Sequence, residues 1–144
     1  MITLTKKKLV SNQTILLELL NQTLELEYSL IIFYPRIANI IRDQETKKLA
    51  LSLGTASVGH ADTVAKAITK LGGNPHWSFA SFPTGVNLRK IFQEQLEKEK
   101  LALRLHQQIT GLVTDYTLRD NFARLAREEE SHIRTVENIL TRLD

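Results

Sequence analysis

Residues 125–140 read LAREEESHIRTVENIL, a helix-forming stretch without glycine or proline. Leu125, Val136 and Leu140 recur at helical spacing and mark the face that should turn inward. Glu129 and His132 stand three residues apart, so they share one face of that helix, among those apolar residues. A carboxylate and an imidazole placed in a core carry a large desolvation cost unless something partners them. The rest of the chain must supply that partner.

Working outward, residues 11–43 repeat apolar side chains at helical spacing with no turn cluster, and Pro35 should kink this helix or end it locally. Asp43 is placed to cap a second helix running to about Leu71. Residues 71–85, LGGNPHWSFASFPTG, hold Pro75, Pro83 and three of the six glycines, and form the one substantial connection. A third helix is expected from about Val86 to Val113, and a fourth from Asp115 or Thr117 to about Arg142. Four helices with no strand to place give an all-α bundle in one domain, residues 1–144. Its parts are a hairpin over 11–71, a crossover over 72–85 and a second hairpin over 86–142. The 12 residues from Gly72 to Pro83 span about 40 Å if extended, enough for helix three to start at the far end and run parallel to helix two.

Composition narrows the function classes. The 144 residues are 42% apolar and 24% charged, as expected of a soluble globular domain. A net charge of +3 is too small to point to nucleic acid, and the run Lys6–Lys8 reads as a solvated chain start. Without cysteine there is no disulfide, iron–sulfur cluster or thiol chemistry. No apolar run approaches the ~20 residues of a membrane span, and the N-terminus lacks the form of a signal peptide, so the expected compartment is the cytoplasm.

The chain also repeats itself distantly. A shift of 72 residues brings Glu27 onto Glu99, Asp43 onto Asp115 and His60 onto His132. Leu24 falls on Leu96, Ile31 on Leu103, Leu53 on Leu125, Val64 on Val136 and Ile68 on Leu140. Glu27 lies 16 residues before Asp43, and His60 lies 17 after it. At about 1.5 Å per residue, a reversal near Asp43 sets Glu27 and His60 at nearly one height on neighbouring antiparallel helices. The same holds for Glu99, Asp115 and His132. Packed together, the hairpins bring Glu27, His60, Glu99, Glu129 and His132 into one layer, and a divalent metal would supply the partners that such a layer lacks.

These motifs resemble the ferritin-like superfamily of di-iron carboxylate proteins, and most closely its rubrerythrin-like branch. The matching segments are EYSLIIFY from Glu27, SVGH ending at His60, EKLALRLH from Glu99 and EESH from Glu129. LGGNP after helix two is similar to the family's exit from that helix, and the likeness spans about residues 12–142. It implies a metal centre, iron first with manganese or zinc as substitutes, in which one ion keeps Glu27, His60 and a bridging Glu129. The other ion keeps Glu99, His132 and the same Glu129. The sequence departs from the pattern at Ser57, which stands where a second bridging glutamate is expected. Tyr34 and Ser57 lie beside the implied ligands, and His106, which replaces a tyrosine, is a substitute ligand or proton carrier. The absence of cysteine removes the family's rubredoxin-type centre, and Met1 as the sole methionine argues against methionine-ligated haem. No fifth helix follows Leu143, so a homo-oligomer of dimer type is expected rather than a cage.

The resemblance implies a non-haem iron protein that handles peroxide or oxygen with electrons from an external donor. The alternatives are a metal-binding protein without turnover and a metal-free structural bundle with a decayed site. Around the site, Glu25 and Glu97 are expected on the solvent side of their helices, with Glu128 and Glu130 on another solvated face. His76 and Trp77 read as packing or loop residues. Gly54 and Gly59 weaken helix two by about 1 kcal/mol each relative to alanine, which points either to close helix packing or to a small pocket beside Ser57.

Overall fold

The computed structural model describes residues 2–82 and 85–143, with side chains from Asn12 onward. The side chains of Lys6–Lys8, and Pro83 entirely, lie outside the described residues. Four helices follow in order: α1 (Ile2–Ala38), α2 (Gln44–Lys70), α3 (Leu88–Leu112) and α4 (Tyr116–Arg142). There is no strand among the described residues, and no helix is long and apolar enough to cross a membrane.

The first helix departs from expectation at both ends. It reaches back to Ile2, since nothing in residues 2–10 breaks a helix, and it stops at Ala38 rather than near residue 43. Asp43 explains the earlier stop. It sits in extended conformation, φ −68° and ψ 121°, and its carboxylate accepts from the Thr46 amide at 2.9 Å. A residue with that backbone cannot also close the preceding helix. Pro35 is contained inside α1, three residues before its end, where it removes a single backbone donor.

Asp115 repeats the Asp43 cap 72 residues later, accepting from the Leu118 amide at 2.9 Å. The repeat is therefore structural: each half is a hairpin whose second helix starts on an aspartate. α1 packs on α2 and α3 on α4, while α1 also meets α3 and α2 meets α4. Leu30, Phe33 and Ile37 of α1 cluster with Ala50 and Leu53 of α2, Ile91 and Phe92 of α3, and Val136 and Ile139 of α4. This end therefore holds the starts of α2 and α3, which run parallel. The opposite end is a second apolar cluster with Leu16, Leu20, Val64, Ile68, Ile109, Leu118 and Phe122.

The crossover between the hairpins climbs the outer face of α1. His76 donates its amide to Asn21 Oδ1 at 2.9 Å, the Ser78 hydroxyl donates to Glu25 Oε2 at 3.0 Å, and the Ala80 amide donates to Ser29 Oγ at 2.7 Å. Two residues later Phe82 stacks on Phe33, with centroids 6.1 Å apart. Partners advance by four on the helix for every two on the crossover. Four helical residues rise about 6 Å and two extended residues about 6.6 Å, so the two backbones keep step. Glu25, expected in solvent, is thus half-buried beneath this segment, whereas Trp77 stays exposed with one edge on Tyr28.

The two glycines of α2 have different roles. A β-carbon at Gly54 would lie 3.2 Å from both Pro35 Cδ and Tyr34 Cβ, so its absence lets α1 approach α2 closely. Nothing lies within 4 Å of the equivalent position at Gly59. Gly59→Ala should therefore raise stability by about 0.5–1 kcal/mol through helix propensity. Gly54→Leu should lower it by about 1–3 kcal/mol through overpacking. Urea unfolding of the two variants beside the parent protein checks both signs.

Candidate metal centre

Between the two apolar clusters lies a polar layer. Glu27, Glu99 and Glu129 are fully buried, with His60 at 3% and His132 at 7% exposure. All five residues expected in one layer are thus inside the bundle. His106, Tyr34 and Ser57 are completely buried with them.

The ligating atoms form two groups that share Glu129: Glu27, His60, His106 and Glu129 in one, and Glu99, Glu129 and His132 in the other. Within each group one atom per residue lies within 4.8 Å of the others. In the first, His60 Nδ1 is 3.0 Å from Glu129 Oε1 and 3.5 Å from Glu27 Oε1. His106 Nε2 approaches those same two oxygens at 3.7 and 3.4 Å. In the second, His132 Nδ1 is 3.4 Å from Glu129 Oε2 and 3.7 Å from Glu99 Oε2. Donors bound at about 2.1 Å to one divalent ion lie no more than about 4.2 Å apart, so small shifts would bring either group onto an ion.

The repeat shows again around the glutamates of the first and third helices. Tyr34 on α1 donates its hydroxyl to Glu99 Oε1 on α3 at 2.8 Å. His106, its counterpart 72 residues on, approaches Glu27 of α1. Ser57 breaks the pattern. Its hydroxyl donates back to the Leu53 carbonyl at 3.1 Å, within its own helix, so the counterpart of Glu129 brings no acid to the layer.

Many of the buried atoms have no hydrogen-bond partner: both oxygens of Glu27, Oε2 of Glu99 and of Glu129, both ring nitrogens of His106, and Nδ1 of His132. Each buried polar group left unsatisfied costs about 1–3 kcal/mol, and more when charged. The orphaned atoms are carboxylate oxygens and imidazole nitrogens converging from α1, α3 and α4, a donor set suited to a divalent cation. Gln95, one helical turn before Glu99, is also buried with its amide unpartnered.

The charges of this layer are strongly coupled. Burial would push the Glu129 carboxyl up, but interactions with the surrounding Glu99, His106, His132 and His60 outweigh it and hold Glu129 well below the usual carboxylate range. Burial and the neighbouring Glu129 charge push Glu99 well above it. Burial opposes charge on His60, yet its hydrogen bond to Glu129 and the Glu27 carboxylate beside it raise its pKa to about 11. His132 is likewise raised to about 10 against its burial, by Glu129 and Glu99. Tyr34 is pushed well above its ordinary value, first by burial and then by Glu99.

One contact differs from the sequence reading. Glu128, expected on a solvated face, is half-buried and places Oε2 2.9 Å from His60 Nε2. Arg124 Nη1 stands 3.5 Å from its other oxygen. In sequence, Arg124 and Glu128 look like an ordinary i,i+4 surface pair, and only the packing of α4 on α2 brings His60 beneath it. Glu97 and Glu130 are exposed as expected.

Comparison with known proteins agrees with this geometry. Among solved structures, a ferritin-like, diiron-carboxylate protein from Bacillus anthracis is 21% identical with a TM-score of 0.81, covering 90% of this chain and 97% of its own. The dodecameric thioferritin of Bacteroides fragilis, a bacterioferritin-related protein, is 21% identical with a TM-score of 0.79 over 90% of this chain and 86% of its own. Rhodobacter capsulatus bacterioferritin, solved with a metal-free dinuclear site and haem iron, is 24% identical with a TM-score of 0.75 over 89% and 84%. No curated protein matches the sequence. The model of the ferritin-like domain family matches residues 17–144, nearly all of the four-helix bundle and every residue of the polar layer, and the chain belongs to that family.

Proposed function

We propose that this chain binds iron at the bundle centre and uses it to handle peroxide or oxygen. The observation that carries the reading is the set of buried, unpartnered carboxylate and imidazole atoms in two groups sharing Glu129. Glu27, His60 and His106 would hold one ion, Glu99 and His132 the other, with Glu129 between them. Iron at such positions would supply a pair of redox-active ions. Reduction of peroxide to two waters consumes two electrons and two protons, and the electrons would come from a separate donor. The diiron-carboxylate relative from Bacillus anthracis supports iron over other metals. We also propose a homo-oligomer, on the analogy of the dodecameric thioferritin.

The chain's own groups would prepare the site. The Tyr34 hydroxyl holds Glu99 Oε1 and leaves Oε2 facing His132. The apolar clusters close the layer above and below, and burial there strengthens the charge interactions within it. Three carboxylates bring −3 against +4 from two divalent ions, and an added hydroxide or small anion would offset part of the excess. His106 replaces a missing donor without replacing the missing charge. A decayed structural bundle is the poorer reading, because orphaned buried acids cost stability and nothing in an apolar-packed core requires them.

Metal analysis of protein purified without chelator should find iron, and Glu129→Ala should lose the most metal per chain, since that carboxylate belongs to both groups. Full metal content in this variant would refute the assignment. Ser57→Glu adds a fourth acid to the layer. It should lower the stability of the metal-free protein and raise metal occupancy, read by iron titration and thermal unfolding with and without metal. Loading should also release protons. In the metal-free protein the His60 and His132 pKa values, about 11 and 10, keep both rings protonated at neutral pH, while ligation requires neutral imidazole. Affinity should therefore fall as pH falls, and calorimetric titration in buffers of different ionisation enthalpy should report net proton release.

A further inference from the structure

The two sides of the polar layer differ in the chemistry they offer. α2 and α3 run parallel, so Ser57, three residues before His60, and Gln95, four before Glu99, lie on one side of it, about 4.5 and 6 Å nearer the starts of their helices. This is the side of Ile91, Phe92 and Val136. Tyr34 lies on it too, seven residues beyond Glu27 in the oppositely directed α1, with its hydroxyl reaching back to Glu99. Glu129, three residues before His132 in α4, and His106, seven beyond Glu99 in α3, fall on the other side. One side therefore carries an acid and an imidazole. The other carries a hydroxyl, a phenol and an amide, none of them charged.

Two residues on the uncharged side stand out. Gln95 is fully buried, yet neither atom of its amide has a partner. An apolar side chain of that size would be better tolerated there. Ser57 is also fully buried, and a shift of 72 residues sets it against Glu129. Its hydroxyl is turned to the Leu53 carbonyl, so it offers the layer nothing. α2 and α3 each pack on α1 and α4 but not on one another, which sets Ser57 and Gln95 on opposite corners of the bundle. A serine is shorter than a glutamate by about the size of a formate ion. The three carboxylates of the two donor groups also leave a pair of divalent ions short of negative charge.

We propose that the Ser57 and Gln95 side of the layer binds a small carboxylate-type anion (formate, acetate or bicarbonate) in place of the side-chain carboxylate that Ser57 does not supply. The inference rests on reading the layer as a metal centre, and it names the ligand that completes it. The anion brings the missing negative charge, and Gln95 Nε2 donates a hydrogen bond to it. A neutral amide suits this role, since it partners an anion without repelling it. Close packing of the bundle interior limits the anion to about the size of the absent group.

Cobalt(II), which stays divalent in air and reports its ligands through visible absorption, is the metal probe, and formate is the anion. Metal-free protein should take up cobalt about tenfold more tightly in formate than in chloride of equal ionic strength. By reciprocity cobalt should tighten formate by the same factor, read from the absorption change as formate is added to loaded protein. Formate should leave the unfolding temperature of the metal-free protein unchanged. Acetate should act like formate, whereas pivalate, which is bulkier, should not. Gln95→Met keeps the volume and removes the donor. It should fold at least as stably without metal, bind cobalt in chloride as the parent does, and lose most of the formate effect. Ser57→Glu supplies the carboxylate itself, so it should bind cobalt tightly in chloride and gain nothing from formate. If that variant fails to fold, the contrast of acetate with pivalate in the parent and in Gln95→Met carries the same decision. Cobalt uptake that is indifferent to formate, that pivalate promotes equally, or that responds undiminished in either variant would overturn the inference while leaving the metal centre standing. No cobalt uptake in either salt would overturn the metal reading itself.

Discussion

Glu129 is a carboxylate with no exposure to water, lying between three imidazoles and two further acids at the middle of a bundle. An ion so placed is tolerable only if positive charge converges on it from several directions. Its neighbours come from every helix: Glu27 from α1, His60 from α2, Glu99 and His106 from α3, and His132 one turn along α4. Helices that met at arbitrary heights would strand these groups in apolar surroundings. The requirement that they meet at one level therefore fixes the register of the whole bundle, and the apolar clusters at the two ends fill the space above and below.

The up-down-down-up order of the helices follows from the same requirement. Two similar hairpins oppose their polar faces when the second is turned about an axis through the layer, and a long crossover must then return the chain to the starting end. The match in step between the extended crossover and α1 lets that segment satisfy its polar groups on Asn21, Glu25 and Ser29 instead of forming a helix of its own. Pro75 and the glycines before it start the segment outside helical geometry, with Gly72 at φ +84° where a side chain would be strained.

The approximate symmetry matters as much where it fails as where it holds. Tyr34 and His106, equivalent by the repeat, make reciprocal contacts with Glu99 and Glu27, but one offers a hydroxyl proton and the other an imidazole. Ser57 turns its hydroxyl to its own backbone, where a carboxylate would have reached the centre. The result is a layer with the outline of a symmetric two-ion site and an uneven distribution of charge.

Much of this was legible in the sequence because helices convert spacing into direction and height. A rise of about 1.5 Å per residue and shared faces at three and four residues were enough to bring Glu27, His60, Glu99, Glu129 and His132 to one level. The caps at Asp43 and Asp115 were legible for the same reason, since capping is decided within four residues. The early end of α1 was not, because helical periodicity in residues 39–42 competes with the backbone that the Asp43 cap demands. Contacts between helices lay beyond reach wherever rotation about the helix axis decides them. The grip of Glu128 on His60 and the shelter of Glu25 beneath the crossover each depend on how two packed segments are set against one another. That placement is set by the summed packing of two apolar clusters, a property of no single segment, so only the tertiary structure decides it.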